Sequence, residues 1–237
     1  MLIYPAIDLY KGEAVRLLRG DYAQRTVYSR DPVSVALDFV RCGAQRIHLV
    51  DLEGARDGTT PNFDTILKIK KETGLFCEVG GGIRSMQTME KYINAGIDRV
   101  ILGTAAVTDG ALVQSAVAAF GGKIAVGADI RDGFVAIKGW TESSGLDAFA
   151  FCEKMQSAGV AALICTDISR DGAMAGTNRE LYRLLSERFT MDIIASGGVS
   201  TLDDIKALRA LGLHGAIIGK AYYTGAIDLA EAHEVAK

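Results

Sequence analysis

Short, almost uninterrupted apolar runs recur along the chain, each followed by an amphipathic stretch. The runs are Leu2–Asp8, Arg46–Asp51, Leu75–Gly80, Arg99–Gly103, Lys123–Asp129, Ala161–Thr166, Asp192–Ser196 and Gly215–Gly219. Runs of this length without polar alternation suit strands buried on both faces, as in a parallel sheet covered by helices. The intervening spacing of apolar positions predicts helices near 32–42, 62–73, 86–95, 109–120, 146–158, 178–188, 201–211 and 226–236. Pro61 and Asn62 open the second of these, and Ser200 is a candidate cap for the seventh. Strict alternation of strand and helix admits an open doubly wound sheet or a closed barrel. Eight such units in 237 residues favour an α/β fold of the (β/α)8 TIM-barrel type.

An internal repeat strengthens that expectation. A displacement of 116 positions brings Gly43 onto Gly159, Asp51 onto Asp167, Gly96 onto Gly212, and Ile101-Leu102-Gly103 onto Ile217-Ile218-Gly219. The segment EVGGGIRSMQTMEKYINAGIDRVILGTA (78–105) matches IASGGVSTLDDIKALRALGLHGAIIGKA (194–221) without a gap. The first strands need a shift of 121, Asp8 onto Asp129, because the loop after strand 1 is the longer. The repeat unit is far longer than that of a solenoid. The chain is therefore expected to be one barrel domain over 1–237, built from two duplicated (βα)4 half-barrels, about 1–120 and 121–237.

Composition narrows the class without naming a function. Apolar residues make up 49% and charged residues 23%, with a net charge of −3. No basic stripe argues for nucleic-acid binding. No apolar run reaches the roughly 18 residues of a membrane span, and the N-terminus lacks the pattern of a signal peptide, so a cytoplasmic location is expected. Cys42, Cys77, Cys152 and Cys165 form no C-x-x-C pair and no ligand cluster with the three histidines, so buried thiols and no metal are expected.

In barrel enzymes the chemistry gathers at the C-terminal ends of the strands. The first strand here ends in Asp8, the second in Asp51, the fifth in Asp129 and the sixth in Thr166 and Asp167. The third and seventh run into Gly80-Gly81-Gly82 and Ser196-Gly197-Gly198, and the fourth and eighth into Gly103-Thr104 and Gly219-Lys220. Such glycines can simply make tight strand-to-helix turns. They can also let backbone N–H groups at a helix N-terminus approach a phosphate. Two matching sets on opposite sides of one mouth favour phosphate binding, and hence a substrate with a phosphate at each end. Asp8 and Asp129 are repeat mates across the barrel. If Asp129 faces the axis, so do Ala125 and Gly127, which leaves room above them. Two carboxyls in unlike surroundings can divide the roles of acid and base. Asp51 and Asp167 form a second pair, expected to orient loops. Asp171 lies in the loop after strand 6. Trp140, the only tryptophan, sits in a polar excursion after strand 5 that suggests a short hairpin, where it could stack on a flat heteroaromatic ligand. The stretch 10–30 carries Arg16, Arg19 and Arg25 as possible anion partners. His48 is expected to be packed or supporting, and His214 and His233 to lie at the surface.

The segments PAIDLYKGEAVRLLRGD, HLVDLEGA, GGGIRS, the stretch from Asp129 to Trp140, DISRDGAMAGTN and SGGVS together resemble the phosphoribosylformimino-5-aminoimidazole carboxamide ribotide isomerase family of histidine biosynthesis. The resemblance spans essentially the whole chain. It implies an Amadori rearrangement of an aminoaldose to an aminoketose, without metal or organic cofactor, on a small bis-phosphorylated ribotide. It implies Asp8 as base, Asp129 as acid and Thr166 as their support, with Arg16, Arg84, Trp140 and Asp171 on the substrate. Gly176, in the strand-6 loop, joins Gly81, Gly82, Gly103, Thr104, Gly197, Gly198, Gly219 and Lys220 as candidate phosphate contacts. The partner cyclase of the same pathway resembles a different pattern, with a cysteine before the first aspartate and a lysine in the strand-1 loop; this chain has Pro5-Ala6-Ile7-Asp8 and Arg19 there. A dual-specificity isomerase that also takes phosphoribosylanthranilate resembles Arg-Gly-Trp where this chain has Lys138-Gly139-Trp140. A phosphate-ligand sensor would need no opposed carboxylates. A monomer is the simplest expectation.

Overall fold

A computed structural model describes residues 1–18 and 21–237; Arg19 lies outside the described residues. The strands, in chain order, are β1 (Leu2–Tyr10), β2 (Glu13–Leu18), β3 (Asp21–Ser29), β4 (Arg46–Asp51), β5 (Phe76–Gly80), β6 (Arg99–Leu102), β7 (Ile124–Arg131), β8 (Phe134–Ile137), β9 (Glu142–Asp147), β10 (Ala162–Asp167), β11 (Asp192–Ser196) and β12 (Gly215–Ile218). Eight of these pair in parallel in the order β10-β11-β12-β1-β4-β5-β6-β7, and β7 pairs back onto β10 to close a barrel. These eight coincide with the eight apolar runs to within two residues at each end. The remaining four strands form two antiparallel hairpins. β2 and β3 continue from β1, and β8 and β9 continue from β7. The second hairpin falls where the sequence suggests one. The first replaces an expected loop, because its alternating polar and aromatic residues carry no continuous apolar signal.

The helices are α1 (Pro32–Arg41), α2 (Leu52–Asp57), α3 (Phe63–Thr73), α4 (Met86–Asn94), α5 (Thr104–Thr108), α6 (Gly110–Phe120), α7 (Ala148–Ser157), α8 (Arg179–Arg188), α9 (Leu202–Ala210), α10 (Lys220–Tyr223) and α11 (Leu229–Ala236). Polar caps start most of the long ones. Asp31, Ser85, Asp109, Asp147, Asn178 and Asp228 each accept a first-turn N–H. Two sequence expectations change. Asn62 precedes α3 but its side chain does not cap it; the amide is held instead by Asp51 and Glu53. α9 is capped by Thr201 in a capping box with Asp204, not by Ser200.

Alternation along the strands separates two cores. Outward side chains such as Ile7, Leu9, Ile47, Leu49 and Val79 pack under the helices against Phe39, Ile66, Met89, Leu185 and Ile205. Inward side chains Tyr4, Ala6, Ile101, Ala125, Ala162, Ile164, Ile194 and Ile217 fill the barrel. Beside them, buried Glu78 meets Arg99. All four cysteines are free. Burial pushes the Cys77 and Cys152 thiols up to about 12, so they stay protonated at neutral pH. His214 and His233 are half-buried rather than at the surface, and His214 Nδ1 lies 3.0 Å from Asp192. Among the described residues no helix is long and apolar enough to cross a membrane.

Glycine is obligatory where loops cross beneath the mouth. A Cβ on Gly82 (φ +74°) would lie 2.2 Å from the Gly54 carbonyl oxygen, and one on Gly198 (φ +80°) 2.4 Å from that of Gly176. Gly43 has φ +92° but open space around it. Gly82→Ala and Gly198→Ala should therefore destabilise the fold by about 2 kcal/mol or more, and Gly43→Ala by roughly 1 kcal/mol, from backbone strain alone. Urea unfolding midpoints test the contrast; equal losses at all three sites would show that crowding is not the cause.

Asp204 ties the start of α9 to the preceding loop. Its carboxylate accepts from the Ser200 and Thr201 N–H groups at 3.1 Å each, from the Thr201 hydroxyl at 3.0 Å, and from the Thr177 N–H at 3.4 Å. Burial alone would raise its pKa, but these donors outweigh burial and lower it. The stabilisation is thus complete above the ordinary carboxylate pKa near ~4 and is lost as pH falls through the depressed native value. Asp204→Asn should cost on the order of 1–3 kcal/mol at pH 7. The gap from the parent chain should narrow below about pH 4. A gap constant from pH 7 to pH 3 would contradict this account.

Candidate active site

Most of the predicted strand-end residues, Asp51 and Asp167 excepted, converge on one cavity at the C-terminal mouth of the barrel. Its floor is made by Asp8 on β1, His48 on β4, Gly127 and Asp129 on β7, and Thr166 on β10. Ala125 lies in the inner core while Gly127 and Asp129 face the cavity, so the expected alternation along this strand holds. Thr166 is the register partner of Asp129 on the adjacent strand. Small residues at Ala6, Gly80 and Gly127 keep the floor open.

The two carboxyls occupy unlike surroundings. Asp8 Oδ2 accepts from Arg16 Nη1 at 3.1 Å. The other arm of Arg16, Nη2, reaches both oxygens of Asp171 at 2.6 and 2.7 Å. Arg16 comes from β2 and Asp171 from the turn after β10, so this guanidinium joins two loops across the mouth. It also lies over Gly219, where a Cβ would sit 3.2 Å from Nη1. Burial is the main influence that raises the Asp8 pKa; Arg16 opposes it, and the Asp171 charge adds to it. Burial likewise raises Asp129, but there the opposition comes from neutral donors, the side chains of Trp140 and Thr166. Among the described residues only Asp8 of this pair is ion-paired.

Matching corners flank the floor. On one side Gly80, Gly81, Gly82, Gly103 and Thr104 line the cavity, and on the other Ser196, Gly197, Gly198, Gly219 and Lys220. Gly103 and Gly219 stand at the N-termini of α5 and α10 with similar backbone angles, φ −94°, ψ −109° and φ −105°, ψ −103°. Neither helix has a side-chain cap, so first-turn N–H groups remain open to a ligand. Lys220 Nζ donates to the Gly172 carbonyl at 2.8 Å, at the edge of the second corner. Arg84 lines the first corner and donates to the Ala55 carbonyl at 2.8 Å. Gly176 stands apart from the cavity lining, with its carbonyl against Gly198.

Asp51 and Asp167 stand below these corners. Asp51 accepts from the Gly54 and Asn62 N–H groups and from the Asn62 amide. Asp167 accepts from the Ser169 N–H and hydroxyl and from the Asn178 amide. Each aspartate thus holds an asparagine eleven positions on. Both are buried and turned into their own loops, as expected of orienting residues.

Trp140 lines the cavity at the tip of the second hairpin, where Lys138, Gly139 and Trp140 all have positive φ (54°, 63° and 72°). The turn is held by the Lys138 N–H on Thr104 Oγ1 at 3.0 Å and by the Thr141 hydroxyl on the Lys138 carbonyl at 2.8 Å. Arg25, from the first hairpin, stacks over the Tyr10 ring at 4.3 Å. Two further residues line the cavity: Tyr22, which carries no sequence signal, and His48, expected only to be packed or supporting. Tyr22 reaches the mouth from β3 and donates to the Leu52 carbonyl at 2.6 Å. His48 faces the cavity itself, a position that the inward parity of β4 could have indicated. Among the described residues no group of three His, Cys, Asp or Glu side chains is arranged to hold a metal ion.

Known proteins place this site in a family. Residues 2–228 match the family model described as histidine biosynthesis protein. The chain is 47% identical over 229 residues to a 1-(5-phosphoribosyl)-5-((5-phosphoribosylamino)methylideneamino) imidazole-4-carboxamide isomerase of Oceanobacillus iheyensis, with 97% of this chain and 95% of the relative covered. Proteins of the same name from Brachyspira hyodysenteriae (47% over 237 residues, all of both chains) and Dehalococcoides mccartyi (48% over 234 residues, 99% of each) are similar to it as well. The chain belongs to the histidine biosynthesis protein family, in the isomerase branch that these relatives represent.

Proposed function

We propose that this protein converts a bis-phosphorylated imidazole-carboxamide aminoaldose into its aminoketose, an Amadori isomerisation, with Asp129 as general acid and Asp8 as general base. The observation that carries the reading is the pairing of two glycine-rich corners on opposite sides of one mouth with two opposed carboxyls on the floor between them. The relatives' name specifies two phosphoribosyl groups, one for each corner.

The unlike surroundings support this division of roles. A carboxyl raised by burial and contacted only by neutral donors tends to keep its proton, which suits Asp129 to protonate the furanose ring oxygen. The ring opens as the anomeric nitrogen forms the C1=N bond. Asp8, held toward its ionised form by Arg16, then takes the proton from C2. The electrons of the C2–H bond move into C1=C2 and neutralise the iminium nitrogen, giving an enolamine. Thr166 supports Asp129 from the next strand. Each phosphate sits at a corner, on the N–H groups of Gly81, Gly82, Gly103 and Thr104 or of Gly197, Gly198, Gly219 and Lys220; Gly176 backs the second corner from behind Gly198. Arg84 adds charge at the first corner. Trp140 stacks on the imidazole, and Arg16 and Asp171 close the mouth over the bound ribotide.

Asp8→Asn and Asp129→Asn should each lower kcat by at least about 100-fold, the lower end of what a positioned acid or base contributes. Both should still bind the bis-phosphorylated ketose. An absorbance assay coupled to the ketose-consuming cyclase and glutaminase measures turnover; near-parental activity in either variant would remove the assignment.

The rate should trace a bell in pH. Asp8 must be ionised, so activity falls as pH drops through its raised pKa. Asp129 must be protonated, so activity falls as pH climbs through its own. Both limbs should lie above the ordinary carboxylate value near ~4. A kcat/KM profile flat down to pH 4 would count against base catalysis by Asp8.

A further inference from the structure

The acid–base pair leaves the route of one proton unassigned, an argument that rests on the reading above. When the enolamine relaxes, C1 regains a proton from Asp8, and the C2 hydroxyl must lose its own for the carbonyl to form. Its final acceptor is Asp129, a carboxylate since ring opening, and a base on the cavity floor can carry it there.

His48 is placed for that step. It lines the floor from β4, where it is the register partner of Ala6, two residues before Asp8. Its Nδ1 lies 2.7 Å from Glu78 Oε1, so that nitrogen carries the hydrogen and Nε2 is left as the acceptor for the cavity. Glu78 is wholly buried, whereas the His48 side chain keeps 12% exposure, so the ring bridges the sealed interior and the site. Arg99 Nη1, 3.4 Å from the other Glu78 oxygen, fixes the carboxylate from β6. A packed core histidine needs only the Glu78 contact. Its opening onto a floor shared with Asp8, Asp129 and Thr166 is what a structural role leaves unexplained.

We propose that His48, oriented and charge-balanced by Glu78, is a third catalytic residue that accepts the C2 hydroxyl proton at Nε2 during ketonisation. The O–H bond breaks, its electron pair becomes the second C–O bond, and the C1=C2 pair takes the proton from Asp8. Asp8 is left as carboxylate and His48 as imidazolium. Asp129, a carboxylate since ring opening, recovers a proton from His48, so all three groups return to their starting states. The charged groups around the ring are Glu78 from β5, Arg99 from β6, Asp8 from β1 and Asp129 from β7, with Arg16 and Asp171 from the loops.

The test uses His48→Ala, His48→Gln and Glu78→Gln in the coupled assay, with binding of the bis-phosphorylated ketose measured separately as the check on folding. Both His48 variants should lose at least about 100-fold in kcat with little change in KM. Added imidazole should restore part of the His48→Ala rate, in proportion to its neutral fraction as pH is varied. Glu78→Gln, which keeps an acceptor for Nδ1 but loses the balancing charge, should fall by about tenfold, a smaller loss than removing the base itself. A His48→Ala rate within about threefold of the parent, or a loss that imidazole does not change, overturns the proposal. If alanine does not fold, a His48→Gln protein that binds ketose and turns over normally overturns it equally. Inactive Asp8→Asn and Asp129→Asn beside an active His48 variant would remove His48 alone. Active aspartate variants would remove the acid–base pair and the proposal together.

Discussion

Closure of the sheet between β7 and β10 decides what every strand can contribute. In a closed barrel the axis-facing side chains of all eight strands compete for one narrow interior. Apolar residues fill its middle, from Tyr4 to Ile217. The upper inward positions of the strands reach the mouth, and there the sequence changes character to Asp8, Asp129 and Thr166. Room above them exists because Ala6 and Gly127 hold the inward positions just beneath the two aspartates. The site is thus a by-product of packing rules obeyed for most of each strand and relaxed at its end.

Much of this was legible in the sequence because doubly buried strands are written as apolar runs. β4 and β11 fall where their runs begin and end. What escaped has physical reasons. The β2–β3 hairpin is half-exposed and interleaves polar with aromatic residues, so no run marks it. α2, α5 and α10 span six, five and four residues, too short for helical periodicity to register. Ser200 looked like the cap of α9 because its hydroxyl is suitable, but Asp204 binds both Ser200 and Thr201, and the backbone turns one residue later. His48 was readable only through parity. Counting in steps of two from Arg46 sends it inward, and the same count on β5 sends Glu78 to meet it.

The two halves of the chain share a frame and differ in what is mounted on it. The Asp51–Asn62 and Asp167–Asn178 pairs hold equivalent loops in equivalent ways, and both glycine corners end in an uncapped short helix. Symmetry of this kind suits a ligand with like groups at both ends. Dividing acid from base is helped by surroundings that differ. The difference enters through the hairpins. The first delivers Arg16 to Asp8, and the second delivers Trp140 to Asp129. A cation on one side and an indole on the other separate the partners of two otherwise equivalent groups.

The glycines show how one residue can answer two demands. Gly82 and Gly198 are required by carbonyls beneath them whether or not a phosphate ever binds. Their presence in the sequence therefore does not separate a tight turn from an anion site. Gly103 is different: a Cβ there would meet nothing within 4 Å, so packing does not explain it. It stands immediately before an uncapped helix N-terminus on the cavity wall, where a side chain would only fill space that an anion needs. In the second half a Cβ on Gly219 would press on Arg16, which lies across that corner. The phosphate reading rests more firmly on Gly103, where glycine keeps a space open, than on the Gly-Gly pairs or on Gly219, where packing against Arg16 already favours glycine.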